Sequence, residues 1–189
     1  KEIKVKELPE IDDEFAKDVS EFDTLEEYKE SIRKKLEEAA EKKAKDKTRE
    51  KVIKKVVENA SVEIPKVMIE NAIDNAVREA EMSLSFQGMN LDKYLEYIGM
   101  DMNSFREAYR DSSEQSVKTQ LVINKITEVE EISVDESELN EEINKLADSY
   151  AKKEEEFRQQ LKADDIEYIK SELITRKTID LLVSSAKLI

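Results

Sequence analysis

The sequence predicts an all-α protein, and three observations carry that prediction. Only two glycines and two prolines occur in 189 residues, a composition that suits long helices and disfavours sheets rich in tight turns. Apolar residues recur at three- and four-residue spacing along most of the chain, the mark of helical faces. Charged residues make up 41% and hydrophobic residues 39%, so the apolar stripes are thin and suit helix–helix seams better than one thick core. The expected architecture is a single domain: an elongated helical body with one long helix, two projecting helical-hairpin arms and a short extended N-terminal segment.

Residues 1–11 alternate, with Ile3 and Val5 set among Glu2, Lys4 and Lys6 and with Pro9 closing the stretch, which reads as extended chain. A helical turn or two between Asp12 and Phe22 completes a leading segment over 1–22. A long helix follows over 23–60. Thr24 is its expected N-cap, and Glu27, three residues on, completes a capping box. Leu25, Tyr28, Ile32 and Leu36 recur at helical spacing, Glu41 to Lys51 is almost wholly polar, and Val52, Ile53, Val56, Val57 and Ala60 restore an apolar stripe. That is about 50 Å of helix at about 1.5 Å per residue, packed at its ends and wet in its middle.

Pro65 pushes Ile64 out of the α region and breaks the helix, then opens the next one as its first residue. The first arm spans 65–130. Its leading helix runs to about Phe86 with Ile69, Ala72, Ile73, Ala76, Ala80 and Leu84 on one side; Gln87-Gly-Met-Asn90 reverses the chain. A short helix from Leu91 to Ile98 stops at Gly99, and one long helix from about Ser104 reaches Val129. The second arm and its return cover 133–187: a helix with Leu139, Ile143, Leu146 and Tyr150 along its apolar side, then helices over 153–162 and 164–187.

Chemistry is scarce. With no cysteine and no histidine, thiol redox, disulfides, His-based catalysis and zinc sites built on these ligands are excluded. Carboxylate pairs such as Asp12-Asp13, Glu130-Glu131, Glu141-Glu142 and Asp164-Asp165 are what chance supplies in a chain with 46 acidic residues. No glycine-rich phosphate loop occurs, since Gly88 and Gly99 stand alone. No catalytic residue, metal or cofactor is therefore expected.

The net charge of −14 disfavours phosphate tracking, so no specific nucleic-acid partner is expected. The charge is uneven, however. From Lys29 to Lys55 twelve Lys/Arg stand against six Asp/Glu, which reads as a solvated helix laced with i,i+4 pairs or as a contact for RNA or an acidic client segment. No apolar run approaches the roughly 20 residues of a membrane span. The first residues carry no signal-peptide pattern and no initiator Met; a cytoplasmic location is expected, and the chain reads as a fragment.

One feature stands above this background. Four of the five methionines fall between Met82 and Met102, joined by Phe86, Leu91, Tyr94, Tyr97 and Phe105. Methionine is unbranched and soft, and surfaces that accept many shapes over-use it. Met82, Phe86, Met89, Met100 and Met102, with Tyr94 and Tyr97, are the candidate contacts for a polypeptide partner; packing of the hairpin tip is the competing role.

Several segments carry a resemblance. Glu7-Leu-Pro-Glu-Ile-Asp-Asp-Glu-Phe-Ala-Lys-Asp-Val19 resembles the segment by which members of the bacterial trigger factor family leave the prolyl-isomerase domain and re-enter the chaperone body. Phe22-Asp-Thr-Leu-Glu-Glu-Tyr28 with Ile32-Arg-Lys-Lys-Leu36 is similar to the opening of that body's long helix. Ile64-Pro65 with Ile69-Glu-Asn-Ala-Ile-Asp74, and Gln87-Gly-Met-Asn-Leu-Asp-Lys-Tyr-Leu95, resemble the start and the reversal of its first arm. Leu139 to Tyr150, and Ile174-Thr-Arg-Lys-Thr-Ile-Asp-Leu-Leu182, resemble the second arm and its return.

The resemblance implies an ATP-independent chaperone module whose body and arms form a cradle for unfolded or nascent polypeptide. The family's ribosome-docking motif, Gly-Phe-Arg-x-Gly-Lys-x-Pro, has no counterpart in this sequence, and neither has its FKBP-type isomerase domain. The chain is therefore expected not to be an enzyme, and to reach the ribosome only through the family's N-terminal domain. Whether it forms a homodimer stays open. Two other readings stay open at this level: a periplasmic-type helical chaperone, and a helical adaptor or structural protein with one specific partner.

Overall fold

The computed structural model describes residues 10–187; the extended segment expected around Ile3 and Val5 lies outside them. The described residues hold nine helices: α1 (Asp13–Val19), α2 (Leu25–Asn59), α3 (Lys66–Phe86), α4 (Leu91–Ile98), α5 (Met102–Ala108), α6 (Arg110–Val129), α7 (Glu136–Ser149), α8 (Glu154–Gln160) and α9 (Ala163–Ser185). The fold is all-α. The chain divides into two compact units, one up to Glu50 and one from Lys51 onward, and the boundary falls within α2.

In the first unit, Asp12 caps α1 by accepting from the Phe15 N–H at 2.9 Å. The Asp13 carboxylate accepts from the Leu25 N–H at 2.8 Å and so ties the start of α2 to α1. Thr24 is the N-cap that its sequence position predicts, its hydroxyl accepting from the Glu27 N–H at 3.3 Å. Phe22 stacks on Tyr28 with ring centroids 6.3 Å apart. Beyond Tyr28 the expected packed end of α2 is not packed: Ile32 is 39% exposed and Leu36 64%. Asp13 and Phe22 meet α2 at Leu25 and Tyr28, and the next two turns leave Ile32 and Leu36 exposed.

The second unit opens with the end of α2, where Val57 is buried. Pro65 caps α3 at φ −58° and ψ 134°, and Lys66 is the first helical residue. The ψ of Pro65 is extended, which moves the start one residue on from its expected place. α3 packs along α6, α6 along α9, and α7 against both α8 and α9. Ile73, Val122, Ile123, Ile143 and Ile169 are buried in this unit. At the α6–α9 seam the Thr127 and Thr178 hydroxyls lie 2.7 Å apart, with the Ile123 and Ile174 carbonyls within reach as further acceptors. Two protons serve three short contacts, so one hydroxyl donates across the seam and the other to its own helix.

Ion pairs hold the outer rims of these seams. Arg106 bonds Glu70 at 3.1 Å and also Asp74, and Arg110 bonds Glu70 at 3.0 Å and Glu107 at 2.8 Å, joining α3 to α5 and α6. The two guanidinium groups hold the Glu70 carboxyl below the usual carboxylate range, Arg110 contributing most. On α9, Lys177 donates to Glu138 at 2.6 Å and to the Ser133 carbonyl at 2.8 Å, while Arg176 pairs with Glu142. Lys177, then the Asp135 N–H, lowers the Glu138 carboxyl.

Two expected helical features differ. The single helix expected over about 104–129 is broken at Tyr109, whose N–H turns to the Arg106 carbonyl at 3.1 Å, a tighter 3₁₀-type step. Tyr150, expected on the apolar side of α7, is its C-cap; it is 65% exposed and stacks on Phe157 at 5.8 Å. Helical periodicity ends with the helix, and the cap residue leaves the stripe.

Candidate functional site

The candidate surface sits on α3, α4 and the linkers on either side of α4. Two glycine joints shape it. At the end of α3 the Gly88 N–H donates to the Ser85 carbonyl at 2.9 Å and the Met89 N–H to the Leu84 carbonyl at 2.9 Å. At the end of α4 the Gly99 N–H donates to Glu96 at 3.2 Å and the Met100 N–H to Leu95 at 3.0 Å. Both are Schellman closures, which require a left-handed residue, and φ is +74° at Gly88 and +67° at Gly99. Met89 and Met100 each occupy the position after that residue, where the motif favours an apolar side chain.

Caps set the following helices. The Asn90 side chain accepts from the Lys93 N–H at 2.8 Å to start α4. Asp101 accepts from the Ser104 N–H at 2.7 Å to start α5, and this bond depresses the Asp101 carboxyl.

Beneath the surface lies a small hub. Leu91, Leu95 and Phe105 are buried together, with Val77, Ala80, Leu84, Tyr94 and Tyr109 packed around them. Phe105 meets Tyr94 edge-on at 6.4 Å and Tyr109 at 5.2 Å. The seven sequence-predicted contacts therefore divide. Phe86 is 92% exposed, Tyr97 86% and Met82 57%, while Met89, Met100 and Met102 lie at 38–41%. Tyr94 is half-buried against the hub and supports the surface from below. Met82 and Met89 are brought together along one open depression of about 640 Å³, with Asn75, Arg78, Ser85 and Asn90 in its lining.

Sequence reading missed other exposed apolar groups of the second unit: Val67, Val129, Tyr150 and Tyr168 are each 63–67% exposed. Each sits in a stripe-like pattern, and periodicity alone does not distinguish a covered stripe from a bare one. Among the described residues no group of three or more Asp or Glu side chains converges to hold a metal ion, and no helix is long and apolar enough to cross a membrane.

These features define an all-α scaffold that presents large, soft apolar side chains around a rigid hub, above an open depression. The chain belongs to the bacterial trigger factor family: residues 24–184 match the model of the bacterial trigger factor protein (TF) C-terminus. It is 56% identical over 188 residues to trigger factor of Acetivibrio thermocellus and 51% identical to that of Ruminiclostridium cellulolyticum, covering 100% of this chain and 44% of each relative. The chain thus spans less than half the length of the curated relatives it matches. Among solved structures, domains of trigger factor from Thermotoga maritima align over 76% of this chain and 83% of theirs, with TM-score 0.59 and 22% identity, a likeness of fold. A structure of the trigger factor chaperone, reported with promiscuous substrate recognition in folding and assembly, aligns over 96% of this chain and 44% of its own, with TM-score 0.57 and 28% identity.

Proposed function

We propose that this chain is an ATP-independent chaperone module that holds unfolded or nascent polypeptides in the cytoplasm. The carrying observation is the exposure of Phe86, Tyr97 and Met82 around the Leu91–Leu95–Phe105 hub, because bare aromatic and methionine side chains on a rigid support favour apolar partners of varied shape. The promiscuous substrate recognition reported for a related chaperone supports the same reading. Met82, Phe86, Met89, Tyr97, Met100 and Met102 are the proposed contacts, with Tyr94 holding them in place. The two arms, 65–130 and 133–187, are the proposed holding segments.

Holding is weak at each contact and cumulative. Burying one such side chain against a client contributes about 1.5–3 kcal/mol, so several contacts reach the roughly 8 kcal/mol of a micromolar complex after ordering costs. Separate weak contacts exchange independently, and the client leaves without nucleotide. The role is binding and not catalysis: prolyl isomerisation and ribosome docking belong to other parts of the family's proteins. The test is suppression of aggregation when an unfolded model protein is diluted into buffer with increasing amounts of this chain and no nucleotide. Dose-dependent suppression is expected; a folded chain that suppresses nothing, or that captures one folded protein only, contradicts the reading.

A further inference from the structure

The uncovered start of α2 has a charge pattern that the client-holding surface does not use. Residues 32–47 are all exposed. Ile32, Leu36, Ala39 and Lys43 follow one another at four-, three- and four-residue steps and share one side of the helix. Lys35 and Lys42 flank that stripe on one edge, Lys29 and Lys47 on the other, with Asp46 and, one turn further on, Glu50 as the acids on this side. None of the five lysines has an ion-pair partner among the described residues. The acids Glu30, Glu37, Glu38 and Glu41 fall on the far side together with Lys34 and Lys45, where Lys45 bonds Glu41 at 2.6 Å. The helix therefore separates its charges: a net acidic back and a basic front with an apolar centre.

The front also has relief. An open depression of about 380 Å³ is lined by Ala39, Lys42, Lys43, Asp46, Lys47 and Glu50, and the small side chains at Ala39 and Ala40 admit close approach. From Lys29 to Lys47 the face runs about 27 Å at about 1.5 Å per residue, several times the roughly 8 Å screening length of physiological salt. It acts locally as a positive surface although the chain carries −14 overall.

We infer that the 29–47 face of α2 is a docking surface for acidic polypeptide segments with apolar side chains at one-turn helical spacing, such as an acidic amphipathic helix of a partner protein. Charge complementarity selects the acidic flanks. The Ile32–Leu36–Ala39 centre selects apolar residues on the partner, a helix laid on a helix. Two large apolar residues are too few to anchor the helix in a bilayer interface, which takes a broad apolar face. A single-stranded nucleic acid would need aromatic platforms, and the nearest aromatic, Tyr28, is occupied by Phe22. The surface shares no residue with the methionine cluster and needs no unfolded client.

The experiment uses a synthetic peptide of glutamates with leucines at one-turn spacing, followed by fluorescence anisotropy with the whole chain at low and high salt. Binding is expected, weakening with salt. Lys42→Glu/Lys43→Glu should weaken it by about tenfold or more, as for removal of close charge pairs across an interface, and Ile32→Ser/Leu36→Ser should also weaken it severalfold. Lys34→Glu/Lys45→Glu makes the same charge change on the back and should leave binding within about twofold. Circular dichroism and a melt on each variant verify that the helix persists. Four results would overturn the inference: no binding, equal loss from the two charge-reversal pairs, undiminished binding of a leucine-to-serine peptide, or tighter binding of phosphatidylglycerol vesicles or polyuridylate than of the peptide. A failed aggregation assay leaves this result untouched, and the converse holds as well.

Discussion

Among the described residues four helix ends close through the same pair of backbone bonds, and two of the four use glycine. Besides Gly88 and Gly99, Glu131 donates to Glu128 and Ile132 to Thr127 at the end of α6, and Ala151 donates to Asp148 and Lys152 to Ala147 at the end of α7. Glu131 and Ala151 both sit at φ +51°. A left-handed conformation costs a residue with a Cβ about 1–2 kcal/mol, whereas replacing glycine by alanine gains about 0.4–1 kcal/mol by restricting the unfolded chain. A methyl group added at Gly99 meets no atom within 4 Å, so the conformational cost stands alone. Gly99→Ala should therefore destabilise by up to about 1.6 kcal/mol, and Ala151→Gly should stabilise by up to about the same amount. Urea unfolding followed by far-ultraviolet circular dichroism reads both, with an unchanged slope against denaturant. A stabilising Gly99→Ala, or a destabilising Ala151→Gly, would refute the claim that these joints hold the left-handed geometry in solution.

Two further outcomes follow from the packing. Ile73→Ala, at a fully buried position on α3, should lose about 2–5 kcal/mol of stability, while Val67→Ala, 63% exposed on the same helix, should change almost nothing; urea midpoints separate the two. Glu70 and Glu138 have carboxyls held below their ordinary range by cationic partners. Their contribution to stability is full above the unfolded carboxylate range and is lost as pH falls through the lowered folded values. Thermal melts from about pH 6 to pH 3 should thus fall more steeply for the wild-type chain than for an Arg106→Gln/Arg110→Gln variant, and parallel curves would contradict the ion-pair account.

Much of the fold is legible in the sequence because punctuation is local. Thr24 and the box that Asp135 forms with Glu138 mark helix starts through their own side chains, and Gly99 and Pro65 mark an end and a start through backbone chemistry. The joints at Glu131 and Ala151 carry no such mark, because a left-handed residue with a Cβ is imposed by the helices it connects. The break at Tyr109 is equally silent, since Arg106 and Arg110 straddle it and bind acids 36 and 40 residues earlier at Glu70.

The candidate site is half legible. Composition singled out the methionine and aromatic cluster, but burial depends on which stripe finds a neighbour. Hence Tyr94 and Phe105 turn to the hub while Phe86 and Tyr97 face outward. The same limit hid the bare stripe of Ile32 and Leu36, where amphipathic spacing predicts a partner helix and the first unit supplies none.

The most direct test of the account is the affinity of the chain for a permanently unfolded polypeptide, measured beside a Met82→Ser/Phe86→Ser/Tyr97→Ser variant by anisotropy of the labelled client. Removing three apolar contacts of about 1.5–3 kcal/mol each should weaken binding by at least about a hundredfold, with helicity and melting unchanged because all three side chains are exposed. Unchanged affinity in a folded variant would place client binding elsewhere and contradict the proposed surface.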